Sequence, residues 1–123
     1  MIEKTNLLDL EKKPNTAMHG EKALYQILWG AVPQGTKTLK SITAVARITI
    51  PPHETNLIHN HSKDEQVYII VEGGGVVQVG DEKTDAREGD VVVLPVNVPH
   101  AFYNTSDSQC IILNVSVRVP QQA

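Results

Sequence analysis

A chain of 123 residues with 41% hydrophobic and 20% charged residues has the composition of one ordinary globular domain, long enough to bury a core without staples. Its formal charge of −3, with basic residues scattered singly apart from Lys12-Lys13, offers no electrostatic footprint for nucleic acid or an acidic membrane. A single cysteine excludes an internal disulfide and fits a reducing compartment; with no membrane-length apolar run and no signal peptide in view, the cytoplasm is the expected location.

Residues 1–22 read as a polar arm with one short turn at Leu7-Leu8-Asp9-Leu10 and a breaker at Pro14. The arm is expected to lie against the body of the protein or a partner subunit, and its His19 reads as solvated. Residues 23–123 form a single domain of short β runs, the first from Ala23 to Trp29. From Leu39 to Ile50 the alternation is clear. Ile42, Ala44, Ala46, Ile48 and Ile50 share one face, and Thr43, Val45, Arg47 and Thr49 the other, as in a half-buried strand. Arg47 then reads as a solvated face residue, with an anion clamp inside a cavity as the alternative. Pro51-Pro52-His53 ends the strand, since proline cannot donate to a ladder.

A strand carrying His59 and His61 follows, then a polar turn, Ser62 to Glu65, and a β-favouring run, Gln66 to Glu72, stopped by Gly73-Gly74-Gly75. The glycines lead into no helix, so a phosphate-cradling loop is a weak reading. Val76–Val79 with its Gly80-Asp81 turn, Val91–Leu94, His100–Asn104 and Cys110–Val119 follow. About eight short strands at roughly ten-residue spacing, with no helical pattern, argue for an all-β sandwich or barrel.

Chemistry is concentrated at His59 and His61. Two apart on a strand, they point the same way. Paired imidazoles with an oxygen ligand on the next strand make an incomplete site for zinc, copper, iron, nickel or manganese. A surface histidine pair is the alternative, and the choice between them depends on a further ligand later in the chain. Cys110, opening an apolar run, reads as a buried small hydrophobe.

The second half supplies that ligand. Gly89, Pro95, Asn97, His100 and Asn104 stand at the spacing of the second motif of the cupin family, which they resemble. His59, His61, Gln66 and Gly73 resemble its first motif, and Arg47 to Pro52 its lead-in; the similarity runs from about residue 42 to 118. The resemblance implies a double-stranded β-helix, a jelly-roll barrel, with an N-terminal arm. It further implies one divalent transition metal (Fe, Mn, Ni or Zn) held by His59, His61, Gln66 and His100. Positions not taken by protein stay open for water or substrate.

Three departures stand out. His53 and Asn97 occupy places where the family usually has glycine. The usual glutamate position carries Gln66, with Glu65 one place earlier on the opposite strand face. Register from Gly73 selects Gln66; the apolar pattern Val67, Ile69, Val71 selects Glu65 as the inward residue. The register is preferred because it is anchored to a turn. With Gln66 the protein adds no negative charge, so the metal favours an anionic or chelating oxygen ligand.

The implied function is a metal-dependent enzyme of dioxygenase, isomerase or lyase type acting on a small organic molecule. A non-catalytic small-molecule-binding or sensory module is the alternative, and a barrel whose metal only stabilises the fold a third. Tyr68, Phe102 and Asn104 are the expected pocket residues, with Tyr68 or Tyr103 as proton donor. The resemblance also implies a homodimer, for which the edges of the N-terminal strands offer a route.

Overall fold

Alternating apolar and polar residues make strands, and strands fill this chain. The structure, a computed structural model, describes residues 2–15, 22–30, 35–59 and 62–120, with the backbone alone at 58 and 59. In chain order come β1 (Lys13–Pro14), β2 (Leu24–Trp29), β3 (Ile42–Ile50), β4 (Thr55–His59) and β5 (Asp64–Glu72). Then follow β6 (Gly74–Val79), β7 (Glu82–Arg87), β8 (Val91–Leu94), β9 (His100–Tyr103) and β10 (Cys110–Arg118). Among the described residues the only helix is a single 3-10 turn, Leu7–Asp9, where the arm was expected to turn; the Asn6 side chain accepts from the Leu8 N–H at its start.

The strands form two antiparallel sheets, ordered β1-β2-β3-β10-β5-β8 and β4-β9-β6-β7. This is the expected all-β jelly roll. In β3 the expected inward residues Ala44, Ala46, Ile48 and Ile50 are buried and Arg47 lies half-buried on the outer face, although Thr43 and Thr49 of that face are buried as well. Ile48, Ile50, Ile70 and Ile112 of the large sheet pack with Val77 and Phe102 of the small one, all at most 3% exposed. Each such side chain contributes about 1.5–3 kcal/mol of transfer free energy.

Two polar stretches are strands where the sequence favoured turns or gave no sign. Asp64 and Glu65 open β5 because β10 pairs with them, Arg118 opposite Asp64 and Val117 opposite Glu65. β7, Glu-Lys-Thr-Asp-Ala-Arg, has little β character of its own. It is a strand because β6 pairs along its whole length, and its exposed charges suit an edge, where they discourage pairing with other chains. The arm lies against the body: the Gln26 side-chain amide donates to Leu10 O at 2.8 Å, and Glu3 accepts from the Lys37 N–H and the Thr38 hydroxyl.

His53 and Asn97, the two departures from glycine, both have left-handed backbones, with φ of 60° and 62°. Asparagine and histidine are among the side chains that tolerate this region best, so the turns survive the exchange. Gly75 has no such latitude. A Cβ there would stand 2.1 Å from the Tyr103 carbonyl oxygen, on a neighbouring backbone that cannot rotate aside. Gly89 has open space around it but a φ of +90°. Gly75→Ala is therefore expected to lower unfolding stability by about 3 kcal/mol and Gly89→Ala by about 1–2 kcal/mol, read from urea midpoints at unchanged slope.

Candidate functional site

The registers of the large sheet arrange its inward side chains in rows. One row is Tyr25, Ile48, Ile112 and Ile70; the next is Ile27, Ala46, Asn114, Tyr68 and Val92. The third is Trp29, Ala44, Ser116, Gln66 and Leu94. The first row is mostly aliphatic, whereas the second and third place alanines, amides and a hydroxyl among larger side chains such as Tyr68, Trp29 and Leu94. Beyond the third row, at the mouth, Arg118 Nε meets Asp64 Oδ1 at 2.9 Å, and Thr43 donates to the other Asp64 oxygen.

The small sheet contributes facing rows, Asn56 with Phe102 and Val77, and His59 with His100 and Val79. Of His59 the backbone register is described, directly opposite His100. His61 and His19 lie outside the described residues. Among the described residues no three His, Cys, Asp or Glu side chains gather into one group. His100 is 2% exposed, and its ring meets Tyr68 edge-on, centroids 5.7 Å apart.

Gln66 and Glu65 separate cleanly. Gln66 is 7% exposed on the inward face with Tyr68 and Ile70, whereas Glu65 faces outward and is exposed. The Gln66 side-chain amide donates to Ser116 Oγ at 2.6 Å, leaving its buried carbonyl oxygen without a protein partner; the buried Asn114 Oδ1 is likewise unmatched. Buried amide oxygens are normally bonded, so two at one end of a barrel mark a place built to receive hydrogen-bond donors or a cation.

The floor is a buried polar triad. Asn56 receives a hydrogen bond from the Tyr25 hydroxyl at 3.0 Å, and its amide donates to the Tyr25 and Tyr68 oxygens at 2.8 and 3.3 Å. Burial pushes both phenols well above their ordinary pKa, with mutual repulsion of the charged forms adding to the rise at Tyr25. Both stay neutral, and Tyr68 is a proton-holding wall rather than a base. Burial also pushes the Cys110 thiol up to about 11, with Glu72 adding to it, which suits a packing residue.

Two expected site residues sit elsewhere. Tyr103 is on the outer face of the small sheet, its hydroxyl donating to Gln78 Oε1 at 2.7 Å and Lys83 over its ring, so it faces no interior substrate. Asn104, though buried, braces the closed end: its amide donates to the Ile50, Pro51 and Ser108 carbonyls, and its oxygen accepts from Ser106. Phe102 is fully buried in the core cluster. Sequence reasoning overlooked Asn56, Asn114, Ser116 and Arg118. The available signal was in the last strand, where Asn114 and Ser116 continue the inward face of Cys110 and Ile112 with polar groups.

A family profile described as "Cupin domain" matches residues 46–116. An uncharacterised protein of Methanocaldococcus jannaschii is 31% identical over 61 residues, covering 50% of this chain and 49% of that protein. An uncharacterised Streptomyces coelicolor protein is 40% identical over 47 residues, 38% and 44% of the respective chains. The chain thus spans about half the length of the curated relatives it matches. In structure it is similar to a predicted oxalate decarboxylase of Thermotoga maritima, with a TM-score of 0.80 at 18% identity over 95% of this chain and 100% of that one. It is also similar to the polyketide cyclase RemF of Streptomyces resistomycificus, with a TM-score of 0.75 at 17% identity over 98% and 83%.

The raised phenols have a pH signature with a definite sign. Tyr25 keeps its proton longer in the fold than in the unfolded chain. As pH rises through the ordinary phenol value of 10.0, the unfolded state releases protons first and stability falls. Tyr25→Phe should make that fall shallower by about 1.4 kcal/mol per pH unit above pH 10, measured by urea unfolding at pH 8 to 11. An unchanged slope would place the Tyr25 phenol in water.

Proposed function

This chain belongs to the cupin family, and from that premise we propose that it binds one divalent metal at the open end of its barrel and acts on a small, oxygen-bearing organic molecule. The posture of Gln66 carries the reading: its carbonyl oxygen is buried and unmatched, while Ser116 holds its amino group. An amide so fixed presents an oxygen ligand without needing to rearrange. The residues fit the group. His59, His61, His100 and Gln66 are its proposed ligands, the first and third supported by their register opposite one another.

A divalent ion there, iron, manganese, nickel or zinc, would supply Lewis acidity or a dioxygen platform. The chain's own residues do the rest. Gln66 adds no charge, so an anionic chelating substrate completes neutrality in a wall of uncharged side chains. Arg118, paired with Asp64 beyond the third row, is a cation that an arriving carboxylate can meet on the inward face. Asn114 Oδ1 is placed to accept from a substrate hydroxyl or N–H, and the Tyr25–Asn56–Tyr68 triad holds the floor rigid. Of the proposed reaction types, lyase or isomerase turnover is the one in keeping with the predicted decarboxylase and the cyclase among the structural neighbours. A binding or sensory module is the second reading, favoured by the absence of any carboxylate from the three interior rows of the large sheet.

Elemental analysis of protein purified without added metal should find close to one metal per chain. His100→Ala should remove it and Gln66→Ala weaken binding at least about 10-fold. Ser116→Ala should weaken it by about 10-fold through a loosened Gln66, while Glu65→Ala leaves it unchanged. Loss on Glu65→Ala but not on Gln66→Ala would overturn the ligand assignment.

A further inference from the structure

A sheet ends where a strand lacks a second partner, and there a row of backbone N–H and C=O groups is left unpaired. The large sheet ends at β8, which pairs along one edge with β5. At its start the Ile70 N–H donates to Asp90 O at 3.0 Å and the Gly89 N–H to Ile70 O at 2.9 Å. By alternation, Val92 and Leu94 are then the β8 residues that bond to β5. The N–H and C=O groups of Val91 and Val93 point the other way, and among the described residues no strand takes them. Other edges are blunted: β1 consists of Lys13 and Pro14, and every exposed position of β7 is charged or threonine. β8, Val-Val-Val-Leu, carries neither charge nor proline.

Beside this free edge, between β8 and β7, runs a cleft of about 360 Å³. Its apolar lining is Val77, Val79, Ala86 and Val92; Val79 and Val92 pack on the core yet stay half-buried, since the cleft opens over them. Its charged lining is three carboxylates, Glu82, Asp85 and Asp90, and one amine, Lys83, whose ammonium lies over the Tyr103 ring. We propose that β8 takes one more strand from another protein, an extended segment with alternating aliphatic side chains and a flanking lysine or arginine. The unpaired ladder supplies main-chain hydrogen bonds, and the valine-lined cleft receives every second side chain. Charge decides the rest: an acidic margin favours a basic segment and repels an acidic one. The length of β8, 4 residues, sets the length of the added strand.

Capped hexapeptides of sequence KVTVTK and EVTVTE, titrated into the full chain at low ionic strength, test this by NMR shifts and amide hydrogen exchange. KVTVTK should slow exchange at Val91 and Val93 and bind at least about 10-fold tighter than EVTVTE. Val93→Pro removes an N–H that faces away from β5, so it should keep the native circular dichroism and weaken KVTVTK binding at least about 10-fold. Glu82→Lys with Asp85→Lys, both at exposed positions, should reverse the preference between the peptides, a readout that stands if V93P fails to fold. No protection of Val91 and Val93 at about 1 mM KVTVTK would overturn the proposal, as would binding that neither variant changes. Self-association of the chain alone that Val93→Pro abolishes would also overturn it, giving the edge to a second copy.

Discussion

The register of β10 is the constraint on which the rest of the structure depends. It is the last strand in sequence, yet it lies between β3 and β5 and pairs along most of its length with both. A slip of one residue there would turn Ser116, Asn114 and Ile112 to the outside and bring Val115 and Leu113 in. Ser116 would leave Gln66, Asn114 would leave the row it shares with Tyr68, and the aliphatic plug of the closed end would open. Long-range pairing of this kind cannot form until most of the chain is present, so the interior rows are assembled late and together.

Within those rows, size and polarity divide the barrel. Ile48, Ile112 and Ile70, each at most 1% exposed, fill one end. One residue pair further along, Ala46 and Asn114 replace them, and then Ala44 and Ser116. The change replaces aliphatic bulk with small side chains and buried amide oxygens. The closed end lowers the local dielectric, which strengthens any charge interaction made at the open end and makes an unmatched carbonyl costly. The same low dielectric keeps the two tyrosines protonated and ties them to Asn56, so the floor of the site is rigid and uncharged.

Much of this was legible in the sequence because period-2 alternation is a local property. Ile42 to Ile50 announced its own faces, and the spacing around His59 to Gly73 and Gly89 to Asn104 carried the family resemblance. Gln66 against Glu65 was decided in the sequence by counting from Gly73, and the inward burial of Gln66 agrees with that count. Other features depend on partners remote in sequence. β7 is a strand through β6 and not through its own residues. Tyr103 was offered as a proton donor, but strand alternation turns it away from its inward neighbours His100 and Phe102. Asn104 was expected in the pocket because it alternates with His100 and Phe102; its hydrogen-bond partners show it bracing a loop instead. His53 and Asn97 were informative for the opposite reason, since a left-handed turn restricts the residue type locally.

The two faces of one strand impose different demands, and in this sheet they are met by separate residues. Along β5 the inward set, Gln66, Tyr68 and Ile70, grades from polar to aliphatic, whereas the outward set is aliphatic from Val67 to Val71 after the exposed Glu65. Along β10 the inward set grades likewise, and the outward set is again aliphatic. A graded face fits an interior that must be sealed at one end and receptive at the other. A uniform aliphatic face fits a flat contact whose only requirement is to exclude water. Because the strand period keeps the sets on opposite sides of the backbone, substitutions on the outer face leave the interior rows in register. The site and the outer surface can then vary independently, and the backbone ladder of β3, β10 and β5 is the element they share.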